Sequence, residues 1–250
     1  MSLELESKVN PLFSWNKDDL KQIFGSLKNI TDESVKITLE SEGILIRTMD
    51  RSHVALLDIR IKNSDLSEFE LMGDIVEFNI NPTDVYNIIK ELDKKGDIIF
   101  EIKRDFIEIS QNGFKTQVKK LEKNDQDVPL PKIPYNSKFI TKDTKHFIDL
   151  VKKFESVSDY IKFNQSENKL IFSGSGDQGN TEFNYSEFAD LESKSDIDSI
   201  TNYSIEYIQV FLKSMVNKKA LLIFEYSNEK PLRISLGDNI QYYLAPRIES

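Results

Sequence analysis

Two stretches of the chain, "LKNITDESVKITLESEGILIRTMD" (27–50) and "FESVSDYIKFNQSENKLIFSGSGD" (154–177), read as versions of one another. Each leaves the end of an amphipathic helix, passes a Thr-Asp or Ser-Asp turn and continues as two strands of alternating apolar residues. A second pair, "NPTDVYNIIKELDKKGDIIFEIKRDFIEIS" (81–110) and "SIEYIQVFLKSMVNKKALLIFEYSNEKPLRIS" (204–235), again reads helix, turn, two strands, with "IIFEI" set against "LIFEY". The chain is therefore two copies of one α+β unit, each with two helices and many short strands. Between them, "EKNDQDVPLPKIPY" (122–135) is polar and then proline-rich, and Pro129, Pro131 and Pro134 deny a regular ladder. The expected organisation is an N-terminal domain over 1–122, a connector over 123–135 and a C-terminal domain over 136–250.

The glycines at 174, 176 and 179 match G-x-G-x-x-G, the spacing of a dinucleotide loop, but such a loop must open a helix. The next residues are "TEFNYSEF" (181–188), in which Phe183 and Tyr185 alternate with polar residues, so the glycines are expected to join two strands.

At 250 residues the chain can bury a core in each half, and 39% hydrophobic with 30% charged residues is ordinary for a globular protein. No apolar run approaches the roughly 20 residues that span a bilayer, and "MSLELESKVN" lacks the features of a signal peptide. The expected location is cytoplasmic, or nuclear in a eukaryote. With no cysteine and only His53 and His146, thiolate metal sites, disulfides and cysteine nucleophiles are excluded and a histidine metal cluster is disfavoured. Neither a metal nor a cofactor is expected, and no P-loop is present. Acidic residues are abundant, so a metal-dependent enzyme acting on nucleic acid is an alternative, with Asp50 and Asp58 as its Mg²⁺ ligands.

A net charge of −9 argues against nucleic acid only if the lysines are spread evenly. They are not. In the first helix Leu20, Ile23, Phe24, Leu27 and Ile30 form an apolar stripe while Lys17, Lys21 and Lys28 fall on another face. In its counterpart, Phe147, Leu150, Val151, Phe154 and Val157 oppose Lys145 and Lys152. The other two helices carry Lys90 beside Ile88, Ile89 and Leu92, and Lys213 beside Phe211, Leu212 and Met215. Such faces suit phosphates without reading bases. A solvated face is the competing reading.

"TMDRSHVALLDIRI" (48–61) and the C-terminal "YYLAPRIES" (242–250) resemble the two most distinctive segments of the sliding clamps of archaea and eukaryotes, the proliferating cell nuclear antigens. The similarity extends over essentially the whole chain and is most like an archaeal clamp subunit. It implies two domains of similar topology, each with antiparallel sheets outside and two helices inside, and three chains closed into a pseudo-six-fold ring around duplex DNA. The DNA-facing residues it implies are Lys21, Lys28, Lys90, Lys152 and Lys213, with Lys17, Lys145 and Lys153 as further candidates. Lys94, Lys95, Lys218 and Lys219 are expected to be solvated turn residues.

The resemblance also implies a site for short partner peptides: Met49, His53, Val54, Leu130, Ile133, Pro231, Tyr243, Leu244, Ala245 and Pro246. The subunit interface would join a first-domain edge strand carrying Phe114, Lys115, Gln117, Val118 and Lys119 to a second-domain edge strand carrying Gln178, Thr181, Phe183 and Tyr185. Implied partners are duplex DNA, two further clamp subunits of the same or paralogous chain, a clamp loader, and DNA polymerase, flap endonuclease and DNA ligase. The implied function is a non-enzymatic processivity factor and recruiting platform, with a checkpoint-type ring subunit as the other clamp-like reading. Gln117 departs from the aromatic residue many homotrimeric clamps carry in this strand, and "MSLELESK" extends the usual start.

Overall fold

A computed structural model describes residues 10–71, 73–122, 128–177, 179–193, 198–215 and 221–248. The N-terminal half runs β1 (Leu12–Trp15), α1 (Lys17–Ile30), β2 (Val35–Glu40), β3 (Gly43–Met49), β4 (Ala55–Lys62), β5 (Glu68–Glu70), β6 (Ile75–Ile80), α2 (Pro82–Glu91), β7 (Ile98–Ile102), β8 (Phe106–Gln111) and β9 (Phe114–Lys119). The C-terminal half repeats the pattern: β10 (Ser137–Thr141), α3 (Thr144–Glu155), β11 (Tyr160–Ser166), β12 (Lys169–Gly176), β13 (Gly179–Asn184), β14 (Ala189–Ser193), β15 (Ser199–Ser204), α4 (Ile205–Met215), β16 (Leu222–Tyr226), β17 (Leu232–Leu236) and β18 (Ile240–Leu244). The α+β class and the two helices in each half are those read from the sequence.

Within the described residues the chain forms two compact units, 10–28, 32–46 and 60–122 in one, and 29–31, 47–59 and 128–248 in the other. Residues 47–59 belong to the second unit because β4 pairs with β18, from Ala55 opposite Leu244 to Ile59 opposite Ile240.

In the first unit β5-β1-β7-β8-β9 form one antiparallel sheet, and β2 pairs with β3 and β6. β2 shows why: Val35, Ile37 and Leu39 are buried while Lys36, Thr38 and Glu40 are not, the period of two that one buried face requires. Leu20, Ile23, Phe24 and Leu27 of α1 and Val85 and Ile89 of α2 enter the core, where Phe13 and Phe100 stack at 4.7 Å. α2 starts where Asn81 accepts the N–H groups of Thr83 and Asp84 and Pro82 takes the first turn.

In the second unit one sheet runs β14-β10-β16-β17-β18-β4 and the other β13-β12-β11-β15. Its core is aromatic: Phe139 stacks on Phe224 at 4.4 Å and meets Phe147, Phe163 and Phe172. Asp143 caps α3 by accepting the N–H of His146. The glycine-rich segment is the hairpin between β12 and β13, with Gly174 opposite Thr181 and Gly176 opposite Gly179. A Cβ at Gly176 would lie 2.0 Å from the carbonyl oxygen of Val157, so the strand passes where no side chain fits. These glycines lead into a strand and not a helix, which removes the dinucleotide-loop reading.

Candidate functional site

The short loop from β3 to β4 is built on one carboxylate. Asp50, 8% exposed, accepts the N–H of Ser52 on Oδ2 at 3.1 Å and those of Val54 and Ala55 on Oδ1 at 2.7 and 2.6 Å. Its carbonyl accepts the N–H of His53 at 3.0 Å, and its own N–H donates to the Ala55 carbonyl at 2.9 Å. Tyr207, on α4, donates its hydroxyl to Oδ2 at 3.0 Å. Burial first, and then this bond to the carboxylate, raises the Tyr207 phenol above its ordinary range. His53 sits at φ 56°, in the left-handed region, with its side chain exposed.

The described part of the connector, 128–135, is tied down at both of its ends. Arg47 donates Nη1–H to the Val128 carbonyl at 3.0 Å while its Nε pairs at 2.7 Å with Asp58, itself only 2% exposed. At the other end the Ser227 hydroxyl accepts the N–H of Asn136 at 2.8 Å and donates to the Pro134 carbonyl at 3.1 Å. Arg233, bonded to Glu225, lies 5.0 Å over the Tyr135 ring. Between these anchors Leu130, Pro131 and Ile133 are half-buried, with Pro129 and Lys132 exposed. Prolines offer the ladder no donor, so this span lies outside every named strand.

The C-terminal motif reaches the same place. Tyr243 and Leu244 pair with Leu56 and Ala55, and the N–H of Ala245 continues the ladder to the Val54 carbonyl at 2.8 Å. Pro231 precedes Leu232, which pairs with Leu244. Met49, Val54, Leu130, Ile133, Pro231, Ala245 and Pro246 are half-buried and His53 is exposed, the mixture a docking surface needs. Tyr243 and Leu244 are buried, Leu244 to 0%, so the Leu244 side chain packs beneath any such surface and does not form it.

Asp50 and Asp58, the Mg²⁺ ligands of the enzyme alternative, are thus engaged by backbone amides, Tyr207 and Arg47. Among the described residues no group of three or more His, Cys, Asp or Glu could hold a metal ion, and no helix is long and apolar enough to cross a membrane.

On the helices, Lys21, Lys90, Lys152 and Lys213 are exposed. Lys90 Nζ lies 3.6 Å from Glu91 and Lys152 Nζ 3.7 Å from Asp149, both loose pairs at the surface. Lys28 is half-buried, its Nζ 4.5 Å over the Tyr86 ring. Lys17 differs from the rest: its ammonium donates to the carbonyls of Lys90 and Leu92, fastening the start of α1 to the end of α2. Lys145 and Lys153 are exposed, as are Lys94 and Lys95, and Lys218 and Lys219 lie outside the described residues.

β9 and β13 are terminal strands of their sheets. On β9, Phe114 is 53% exposed, Lys115, Gln117 and Lys119 are exposed, and Val118 faces inward. Lys115 pairs with Glu108 of the neighbouring strand at 2.8 Å. On β13, Thr181 and Phe183 are half-exposed, and Tyr185 just beyond is buried. Gln178 lies outside the described residues, as do the N-terminal "MSLELESK" and residues 123–127 of the connector.

The DNA polymerase sliding clamp of Nitrosopumilus maritimus is 35% identical to this chain over 244 residues, covering 93% of it and 96% of the relative. This chain belongs to the DNA polymerase sliding clamp family. The clamp of Cenarchaeum symbiosum is 32% identical over 250 residues, with the same coverage, and the model of the proliferating cell nuclear antigen N-terminal domain matches residues 16–128. Among solved structures, A. fulgidus PCNA bound to the C-terminal region of FEN-1 aligns with a TM-score of 0.85 at 17% identity, over 96% of this chain and 99% of that one. The clamp of Entamoeba histolytica aligns with a TM-score of 0.85 at 21% identity, over 96% and 100%. These likenesses establish the clamp fold.

For this clamp, sequence reasoning named the segments that meet but missed what holds them. Arg47, Asp58, Ser227 and Tyr207 were absent from the expected site. An aspartate two residues before a serine, between strands, is the signal of an Asx-type turn and could have identified Asp50. Nothing local points to Tyr207, 157 residues away.

Proposed function

We propose that this chain joins two further clamp subunits, copies or paralogues, in a ring around duplex DNA. The ring retains a polymerase topologically and catalyses no reaction itself. Residues 1–122 and 136–250 are its two clamp domains and 123–135 the connector. The observation that carries the reading is that β9 and β13, six residues each, end their sheets with one edge open, whereas of the other terminal strands β6 and β15 meet isolated bridges to Leu121 and Arg247, and β5 and β14 are shorter. An open edge is a liability unless another chain covers it. The two edges differ, β9 carrying Lys115 and Lys119 and β13 carrying Glu182, so their union is head-to-tail and can close a ring.

Lys21, Lys28, Lys90, Lys152 and Lys213 then meet phosphates without reading sequence, which suits sliding. The acidic remainder of the chain repels DNA from unproductive contact. An ATP-driven loader opens the ring. DNA polymerase, flap endonuclease and DNA ligase dock short peptides on the surface formed by Met49, His53, Val54, Leu130, Ile133, Pro231, Ala245 and Pro246, where tethering raises their effective concentration. In an archaeal cell the work is done at the nucleoid.

The test replaces Lys21, Lys90, Lys152 and Lys213 together by alanine and measures loader-dependent processivity beside solution mass. Processivity is expected to fall with the mass unchanged, and the salt dependence of DNA retention to flatten by about 0.9 in log–log slope for each phosphate no longer neutralised. Unchanged processivity would overturn the assignment of the DNA-facing surface.

A further inference from the structure

We infer that Asp50 is a positioning residue for partner docking: its carboxylate sets the loop that presents His53 and Val54, and Tyr207 sets the carboxylate. The inference rests on the docking surface proposed above and adds to it two residues that touch no partner.

All four amides from Ser52 to Ala55 are bonded to Asp50, three to its carboxylate and that of His53 to its carbonyl. A loop this short cannot bond its own amides by a ladder. Without the carboxylate those of Ser52, Val54 and Ala55 would lack acceptors. The amides flanking His53 end on the two oxygens of one carboxylate, which holds the residue at φ 56° and aims its exposed ring. An asparagine offers a single acceptor oxygen, and its amide group would meet the Ser52 N–H donor against donor.

Tyr207 explains why the carboxylate stays in place. Its hydroxyl reaches Oδ2 from α4, and its own carbonyl accepts the hydroxyl of Tyr242 on β18 at 3.0 Å. The loop is thereby referred to a helix and to the strand that ends in the C-terminal motif. His53 and Ala245 keep their relation because both are tied to this group of bonds.

The experiment uses the full chain and a fluorescent peptide carrying the C-terminal region of FEN-1, with anisotropy as readout. Asp50→Asn is expected to weaken binding about tenfold and Tyr207→Phe about threefold. Amide exchange at Ser52 and Val54 should quicken in both, while solution mass and DNA retention hold. The decisive readout is a cycle with His53→Gly, which removes the imidazole and tolerates the left-handed backbone. If Asp50 acts by presenting His53, the double variant loses clearly less than the two single losses multiplied. Losses that multiply in full, or wild-type affinity in a chain whose loop amides exchange faster, would overturn the inference and leave the docking surface standing. Absence of binding by the wild-type chain would remove the docking surface and the positioning role with it. Should Asp50→Asn fail to fold, Tyr207→Phe, which keeps the carboxylate, carries the same cycle.

Discussion

Aligning Leu27 with Phe154 sets the two halves of the chain in register, and α1 and α3 then begin at corresponding positions, Lys17 and Thr144. Asn16 and Asp143, just before them, correspond too: the side chain of each accepts the N–H three residues on, at 3.0 and 3.1 Å. The stacked pairs Phe13–Phe100 and Phe139–Phe224 are likewise one feature used twice, with interplanar angles of 7° and 5°. The halves part company around that shared frame. Leu20 and Phe24 of α1 correspond to Phe147 and Val151 of α3, so the large ring has moved by one helical turn. At the surface, Lys28 over Tyr86 corresponds to Glu155, which accepts the Gln209 amide at 2.6 Å.

Opposite charges thus occupy one place, and among the described residues the exposed helix lysines that correspond are Lys90 and Lys213. Caps and the central stack must recur for the fold to recur. Filling and surface need only conserve volume and solubility.

The sharpest attack on the comparison is to delete the shared stack from each side. Phe139→Ala and Phe13→Ala are each expected to cost about 3–5 kcal/mol, measured by urea denaturation. Phe139 should lie at the upper end, because it also meets Phe147, Phe163, Phe172, Tyr185 and Tyr226. Equal losses would mean that the aromatic filling of the second unit adds nothing.

A smaller effect separates the surfaces. Lys28→Ala should lower stability by about 0.5–1 kcal/mol by removing the ammonium from the Tyr86 ring and weaken retention on circular DNA. Glu155→Lys should strengthen that retention. No change from either substitution would mean that these corresponding places do not face the duplex.

The smallest effect concerns Tyr207, whose counterpart Asp84 is exposed. The Tyr207 phenol titrates above its ordinary value near 10 in the folded chain, so its contribution is full below that pH and is lost as pH rises through the folded value. As pH rises above about 10 the urea midpoint should decline slightly more in the wild type than in Tyr207→Phe. An identical decline would remove the Tyr207–Asp50 bond from the account.

Much of this was open to reading in one dimension. The hairpin at 174–179 could be read from the alternation after the glycines, and the four helices from stripes such as Leu20, Ile23, Phe24 and Leu27. Lys17 shows the limit. It shares a face with Lys21 by spacing, yet it serves the carbonyls at the end of α2, because an unpaired helix end lay within its reach. Asp50 and Asp58 show the same limit for chemistry: as bare carboxylates in a sequence they suit Mg²⁺, and in the fold amides and a guanidinium already occupy them.

By itself, the sequence determined the duplication, the α+β class, the family and the segments that would gather, since periodicity and motif are properties of neighbouring residues. Only the tertiary structure decided that Leu244 is fully buried, and that Asp50 accepts every amide from Ser52 to Ala55. Burial and hydrogen-bond partners belong to what surrounds a residue, and Tyr207 reaches Asp50 across 157 positions that no local pattern connects.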